Sequence, residues 1–324
     1  MTAIIDARDP RAVSRAAKAI LDGALVAFPT ETVYGLGALA SSDRAVGRIY
    51  AAKGRPSVNP LIAHVADRSS AAIFADFDEH ADRLAEAFWP GPLTMVLPLK
   101  VPSAISRVMT AGLSTVAVRA PAHPVARRLL EAVELPVAAP SANRSGNVSP
   151  TTAAHVAQDL GDAVDLILDG GSCTVGLESS VVDLSHSGSV SLLRPGGLDR
   201  ARIEALTGPL GKADPLAPLR APGMMLRHYS PATRVRLDAT RVADDEALLA
   251  FGPAPVEGAA VTLNLSPSGD LAEAANHLYD MLRRLDSSGT RCIAVMPIPP
   301  EGLGEAINDR LRRAAVPAEE ADAA

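Results

Sequence analysis

Short apolar runs and amphipathic stretches take turns along the first two thirds of this chain, and that alternation leaves few folds open. "DPRAVSRAAKAILDG" puts Val13, Ala16, Ala17, Ile20 and Leu21 on one face at helical spacing. Asp9 can cap it, Pro10 suits its first turn and Gly23 follows its end. "ALVAF" then reads as a buried strand, and "SDRAVGRIYAAKG" as a second helix capped by Ser42 or Asp43, with Val46, Ile49 and Tyr50 facing inward. The pattern continues through strands "LIAHVA", "LTMVLPL", "TVAVRA", "PVAAP", "DLILD", "SVVDL" and "SVSLLR". Helices are expected at "EHADRLAEAFW", "HPVARRLLEAVE", "TTAAHVAQDLG" and "LDRARIEALTG". The class is α/β. The later strands have few helices between them, so the sheet should be mixed rather than purely parallel. Aromatic residues make up only 3%, so Ala, Val, Leu and Ile must fill the core.

The first domain is read as residues 1–207. Residues 208–232 are rich in Pro and Gly, have no periodicity and read as a linker. A second, smaller α/β (Rossmann-like) domain follows at 233–317, with strands at "RVRLDA", "EALLAFG", "AAVTLNLS" and "RCIAVMPI". The tail, 318–324, is expected to be disordered.

The formal net charge is −6, which argues against bulk electrostatic attachment to nucleic acid but leaves room for a local basic pocket. Cys173 and Cys292 form no C-x-x-C pair, so neither a zinc site nor a disulfide framework is expected. With no basic n-region before a long apolar stretch, and no apolar run near 18 residues, the expectation is a soluble cytoplasmic protein with no membrane partner. Only four of the 31 cations are lysine, so Lys53 says slightly more than an isolated arginine does.

Several familiar motifs are absent or weak. "GLGALA" fits G-x-G-x-x-A, but Gly35 comes several residues after the strand, and Arg55 stands where an acid would hold a ribose. There is no P-loop, no G-x-S-x-G elbow and no H-E-x-x-H. What recurs is polar residues where strands end: Thr30, Glu31 and Thr32; Lys53, Arg55 and Asn59; Arg119; Ser141 and Asn143; Ser179; Arg194. Such an inventory suits an anionic ligand held at strand ends, with guanidinium and ammonium groups for phosphate or carboxylate. Each loop also has an ordinary reading, since Pro, Gly, Ser and Asn are what turns are made of. His64 alone reads as a satisfied buried histidine, Trp89 as packing and Glu31 as a solvated loop charge.

In combination the segments say more. "FPTETVYGLG", "KGRPSVNPLIAHV", "WPGPLTMVL", "VAVRAPAHP", "APSANRSGNVSPT", "GLESSVVDL" and "LLRPG", in this order, resemble the YrdC-like threonylcarbamoyl-AMP synthase family. "PGMMLRHYSP", "NLSPSGDLAEAANHLYDMLRRLD" and "GLGEAINDRL" resemble its two-domain form with an extra C-terminal domain. The resemblance implies a twisted mixed sheet of the YrdC-like type. It implies condensation of L-threonine, bicarbonate or CO2, and ATP into threonylcarbamoyl-AMP and pyrophosphate. The product would go to a downstream complex that modifies adenosine in tRNA.

The implied roles fall on matching positions. Thr32, His64, Arg119, Ser141 and Ser179 resemble the residues around threonine. Arg55, Asn59, Thr115, Asn143, Ser149 and Arg194 resemble the ATP contacts. Lys53 and Arg55 would be the catalytic cations on the phosphates. Tyr229 resembles a linker residue that reaches back over the site, which suggests a lid. Mg²⁺ would be held mainly by phosphates and water rather than by protein ligands. One position departs from the family: Ser179-Ser180 stands where Ser-Thr usually precedes "VVD".

Two other classes compete. A non-catalytic RNA- or tRNA-binding module is disfavoured by the charge, the sparse aromatics and the lack of K/R-rich runs, so no stable nucleic-acid binding is expected. A carbamoyl-transfer domain like that of hydrogenase maturation factors would carry zinc-finger and acylphosphatase-like segments, which this sequence lacks.

Overall fold

The computed structural model describes residues 2–186, 188–212 and 228–317. Most of the linker on which the lid expectation falls, 213–227, and the tail at 318–324 lie outside the described residues. Two compact units divide the rest. The second takes all that is described from residue 228 onward, together with two short excursions of chain, Gly146–Ser149 and Thr174–Leu177. The first takes the remainder.

The strands of the first unit are β1 (Ala3–Asp6), β2 (Val26–Phe28), β3 (Gly35–Leu39), β4 (Ile62–His64), β5 (Leu93–Pro98), β6 (Thr115–Arg119), β7 (Val137–Ala138), β8 (Leu166–Asp169), β9 (Ser180–Asp183), β10 (Ser191–Arg194) and β11 (Gly211–Lys212). Among the described residues they form one sheet in the order β1-β8-β2-β3-β7-β4-β6-β5-β9-β10-β11. The β4–β6 and β5–β9 pairs are parallel, whereas β5–β6 and β9–β10 are antiparallel. The sheet is therefore mixed, as the thinning of helices between the later strands predicts.

Helices cover one face throughout and the other only in part. α2 (Asp43–Lys53), α4 (Glu79–Phe88), α6 (Ala153–Leu160) and α7 (Arg200–Thr207) pack on the face that carries Ala27, Leu36, Ala63, Met95, Val118 and Val182; a single turn, α3 (Arg68–Ala71), adds Ala71 there. α1 (Ala12–Leu21) and α5 (Pro124–Val133) pack on the opposite face, over Val26, Phe28, Val137 and Ala139. Ala12, Ala16 and Ala17 let α1 sit close, the consequence of a core short of aromatic rings. Beyond α5 the same face continues as a floor of strand residues alone, Ile62, Val96, Ala117 and Val181 with Leu193 against them. The candidate site lies along this floor.

Helix ends follow local chemistry. Ser42 accepts from the Ala45 N–H and so is the cap of α2, and His123 caps α5 ahead of Pro124. Asp9 does not cap α1 directly; its carboxylate takes the N–H of Arg11, one residue before the helix.

"GLGALA" is a strand, not a phosphate loop. A Cβ at Gly37 would sit 2.8 Å from the Phe28 ring, 3.1 Å from Val137 and 3.1 Å from the Val26 carbonyl. The glycine is there for close packing between neighbouring strands.

The second unit holds β12 (Arg234–Arg236), β13 (Ala247–Ala250), β14 (Val261–Asn264) and β15 (Cys292–Val295) in an all-parallel sheet of order β12-β15-β13-β14, with α8 (Leu271–Asp286) and α9 (Leu303–Ala314). No helix among the described residues is long and apolar enough to cross a membrane.

Gly37→Ala should cost about 1–3 kcal/mol in urea unfolding through overpacking. Gly47→Ala, mid-helix in α2 with open space at the Cβ position, should be neutral or stabilising by up to about 1 kcal/mol. Equal costs at the two positions would mean that packing at Gly37 is not the constraint.

Candidate active site

The neighbouring strands β4, β6, β5, β9 and β10 each bring one polar group to the end of the apolar floor. His64 follows Ile62 on β4 by two residues, and Arg119 follows Ala117 on β6, so strand alternation puts both on the floor side. The register pairs His64 with Arg119. Next along, the Thr94 hydroxyl lies 2.7 Å from that of Ser179. Arg194 closes the row: its Nη2 donates to the Ser179 carbonyl at 2.9 Å and to its hydroxyl at 3.3 Å. All five side chains are buried.

Arg119 is held from three sides. Nε donates to the Gly91 carbonyl at 3.2 Å, Nη1 to the Thr32 hydroxyl at 2.8 Å and Nη2 to Glu31 Oε1 at 2.6 Å. A guanidinium has five N–H groups. Two of them therefore have no acceptor among the described residues. Glu31 overturns its reading as a solvated charge. Its side chain is 8% exposed, and its second oxygen accepts from the N–H groups of Ala122 (3.0 Å) and His123 (3.3 Å).

Two loops meet beside this row. The Leu36 N–H donates to the Pro140 carbonyl and the Ala142 N–H to that of Tyr34, each at 2.8 Å, which joins "FPTETVY" to "PSAN". Lys53, at the last turn of α2, enters from below. Its ammonium donates to the Ser141 carbonyl at 2.6 Å and to the Asn143 carbonyl. Burial first, and Arg55 second, push its pKa well below the usual lysine range. Arg55 likewise turns back onto its own loop, with Nε to Asn59 O (3.1 Å) and Nη2 to Pro60 O (2.9 Å). Both cations thus brace the segments that carry Ser141, Asn143 and Asn59.

His64 is neutral. Burial, then the neighbouring Arg119 charge, lower its pKa from 6.5 to about 3, and its Nδ1 donates to the Ile62 carbonyl at 3.3 Å. Thr115 shares the floor side but starts β6, four residues and so about 13 Å of strand from Arg119. Ser149 and Tyr229 belong to the second unit. Ser149 is fully buried and follows Val148, whose carbonyl accepts from Arg283. The Tyr229 ring stacks on Tyr279 at 5.9 Å, with the Arg310 guanidinium 4.9 Å from its centre.

The comparisons bear on the whole chain. Residues 18–196 match the Sua5/YciO/YrdC family model, described as "Telomere recombination". The chain belongs to the Sua5/YciO/YrdC family. Residues 198–316 match a second model, described as "Threonylcarbamoyl-AMP synthase, C-terminal domain". A threonylcarbamoyl-AMP synthase of Pyrococcus abyssi is 43% identical over 97% of this chain and 98% of its own length. One of Bacillus subtilis is 40% identical over 96% and 94%. The crystal structure of P. abyssi Sua5 complexed with L-threonine superposes with a TM-score of 0.89, at 39% identity and with 97% of each chain covered.

Against this Sua5/YciO/YrdC background the Ser179-Ser180 departure is silent for the site. Ser180 has the parity of Val182, on the helix-covered face, and its hydroxyl donates to the Leu198 carbonyl at 2.5 Å. Ser179 alone faces the row.

The neutral His64 should show as an imidazole resonance that does not titrate between pH 5 and 8; a midpoint in that window would contradict the buried pairing. The linkage has a sign. Below pH 6.5 the unfolded chain takes up a proton that the folded chain refuses. This contribution to stability is complete above pH 6.5 and is lost as pH falls from 6.5 toward 3.

Proposed function

We propose that this chain condenses L-threonine, bicarbonate or CO2, and ATP to threonylcarbamoyl-AMP and pyrophosphate, and that the product feeds a tRNA-modifying complex. The observation that carries the reading is the match over nearly the full length, at 39% identity, to a protein solved with L-threonine. The polar row supports it, because it offers what a small amino acid needs.

In this reading the two remaining N–H groups of Arg119 take the threonine carboxylate, and Thr32, Ser141 and Ser179 orient the amine and hydroxyl. His64, neutral, shapes the pocket without adding charge. The nucleotide lies against the Asn59, Asn143 and Arg194 side, with Thr115 as a further contact. Lys53 and Arg55 act on the phosphates from behind the loops they brace.

The threonine amine captures CO2 as a carbamate, a carbamate oxygen attacks the α-phosphorus, and pyrophosphate leaves. Catalysis rests on positioning and on fixed positive charge rather than on a covalent enzyme intermediate. Any Mg²⁺ that enters with ATP would be held by phosphate oxygens and water, since the donors of the row are cations, hydroxyls and amides.

Pyrophosphate release from Mg-ATP should require both threonine and bicarbonate. Discrimination against valine should exceed discrimination against serine. Valine leaves a buried hydrogen-bond partner unpaired, while serine lacks one methyl worth roughly 1–3 kcal/mol. No release with any amino acid from folded protein would sink the synthase reading, and comparable turnover of threonine and valine would sink the hydroxyl-recognition part alone.

A further inference from the structure

Glu31 has no role in the chemistry above, yet its geometry is among the tightest in the first unit. Oε1 takes Nη2 of Arg119 at 2.6 Å, and the two side chains are 8% and 5% exposed. Oε2 is fixed independently by the N–H groups of Ala122 and His123, which lead into α5. This carboxylate is anchored to main chain as well as to its partner, so it does not swing away when a ligand arrives. The Arg119 charge is therefore matched before anything binds. Charges this buried interact strongly and at longer range than they would in water. A ligand carboxylate that reaches the two remaining N–H groups of Arg119 meets good hydrogen-bond donors but a pair with no net charge.

We propose that Glu31 is a specificity-determining residue: by neutralising Arg119 in advance, it lets the site accept a zwitterionic amino acid and turn away a plain carboxylate or inorganic anion of similar size. The inference rests on the reading in which Arg119 receives the threonine carboxylate. It differs in sign from a merely structural role. If Glu31 only pinned Arg119, its loss would weaken every ligand of that guanidinium. If it sets the charge, its loss strengthens bare anions.

The test compares wild type with Glu31→Gln, which keeps the size and a carbonyl oxygen for Arg119 but removes the charge. The probes are 3-hydroxybutyrate, which is threonine without its amino group, and sulfate. Each is measured as a competitor of threonine in pyrophosphate release and as a ligand in thermal shift. Glu31→Gln should lower the inhibition constants of both probes by about tenfold, while the KM for threonine falls by less or rises. Unchanged or weaker binding of both probes would overturn the proposal. Glu31→Asp keeps the charge and should keep the exclusion. Should neither variant fold, wild type alone decides: 3-hydroxybutyrate must bind at least about tenfold more weakly than threonine, and parity overturns the idea. Wild type that releases no pyrophosphate with threonine would defeat the synthase reading instead, and the thermal-shift comparison would still decide whether Glu31 excludes anions.

Discussion

A buried cation must find acceptors or lose its charge. That constraint organises the site of this protein. Lys53, Arg55, Arg119 and Arg194 are all 7% exposed or less. For three of them main-chain carbonyls are prominent acceptors: Ser141 and Asn143 for Lys53, Asn59 and Pro60 for Arg55, and Ser179 for Arg194, which also donates to the Ser179 hydroxyl. A carbonyl satisfies a donor without neutralising it. It also ties the cation to the loop whose side chains face the ligand, so charge and shape are fixed together. Arg119 is handled differently, with a full carboxylate on one nitrogen and a hydroxyl on another. The surroundings of Arg119 thus differ in electrostatic character from those of the other three cations, which in the proposed reading suits a zwitterion on one side and a polyanion on the other.

Much of the architecture was legible in the sequence because its signals are local. The stripe Val125, Ala126, Leu129, Leu130 and Val133 defines α5, and the structure buries those five residues. The runs at 62–64, 93–98, 115–119 and 166–169 are the strands expected there. "AIID" and "GLGAL" were missed as strands for physical reasons. β1 sits at the sheet edge with three of its four side chains exposed, so it lacks a buried run to read. β3 is glycine-rich because its neighbours crowd it, and glycine is a poor strand signal.

The candidate residues were legible for another reason: they cluster in loops whose composition stands out. What they do to one another was not legible. Glu31 meets Arg119 across 88 positions of chain and Lys53 meets Asn143 across 90, and no periodicity reports on such pairs. The excursions Gly146–Ser149 and Thr174–Leu177 pose the same problem. Each is too short to carry a pattern, yet each leaves the unit that its neighbours in sequence belong to.

The row of polar groups depends on register more than on any single bond. His64, Arg119, Thr94 and Ser179 reach the same side only because each lies an even number of residues from a floor residue on its own strand or its lead-in. A slip of one residue in β6 would turn Arg119 toward the helix-covered face and bring Val118, now in the core on that face, onto the floor. The apolar floor makes such a slip costly, since Ala117 would leave its floor neighbours Ile62, Val96 and Val181 while Arg119 entered an apolar core layer. A core of small aliphatic side chains therefore does more than stabilise the sheet. It locks the pairing that aims four strands' worth of donors at one place, and the proposed reaction, which would depend on positioning with no covalent intermediate, would need that lock more than any reactive side chain.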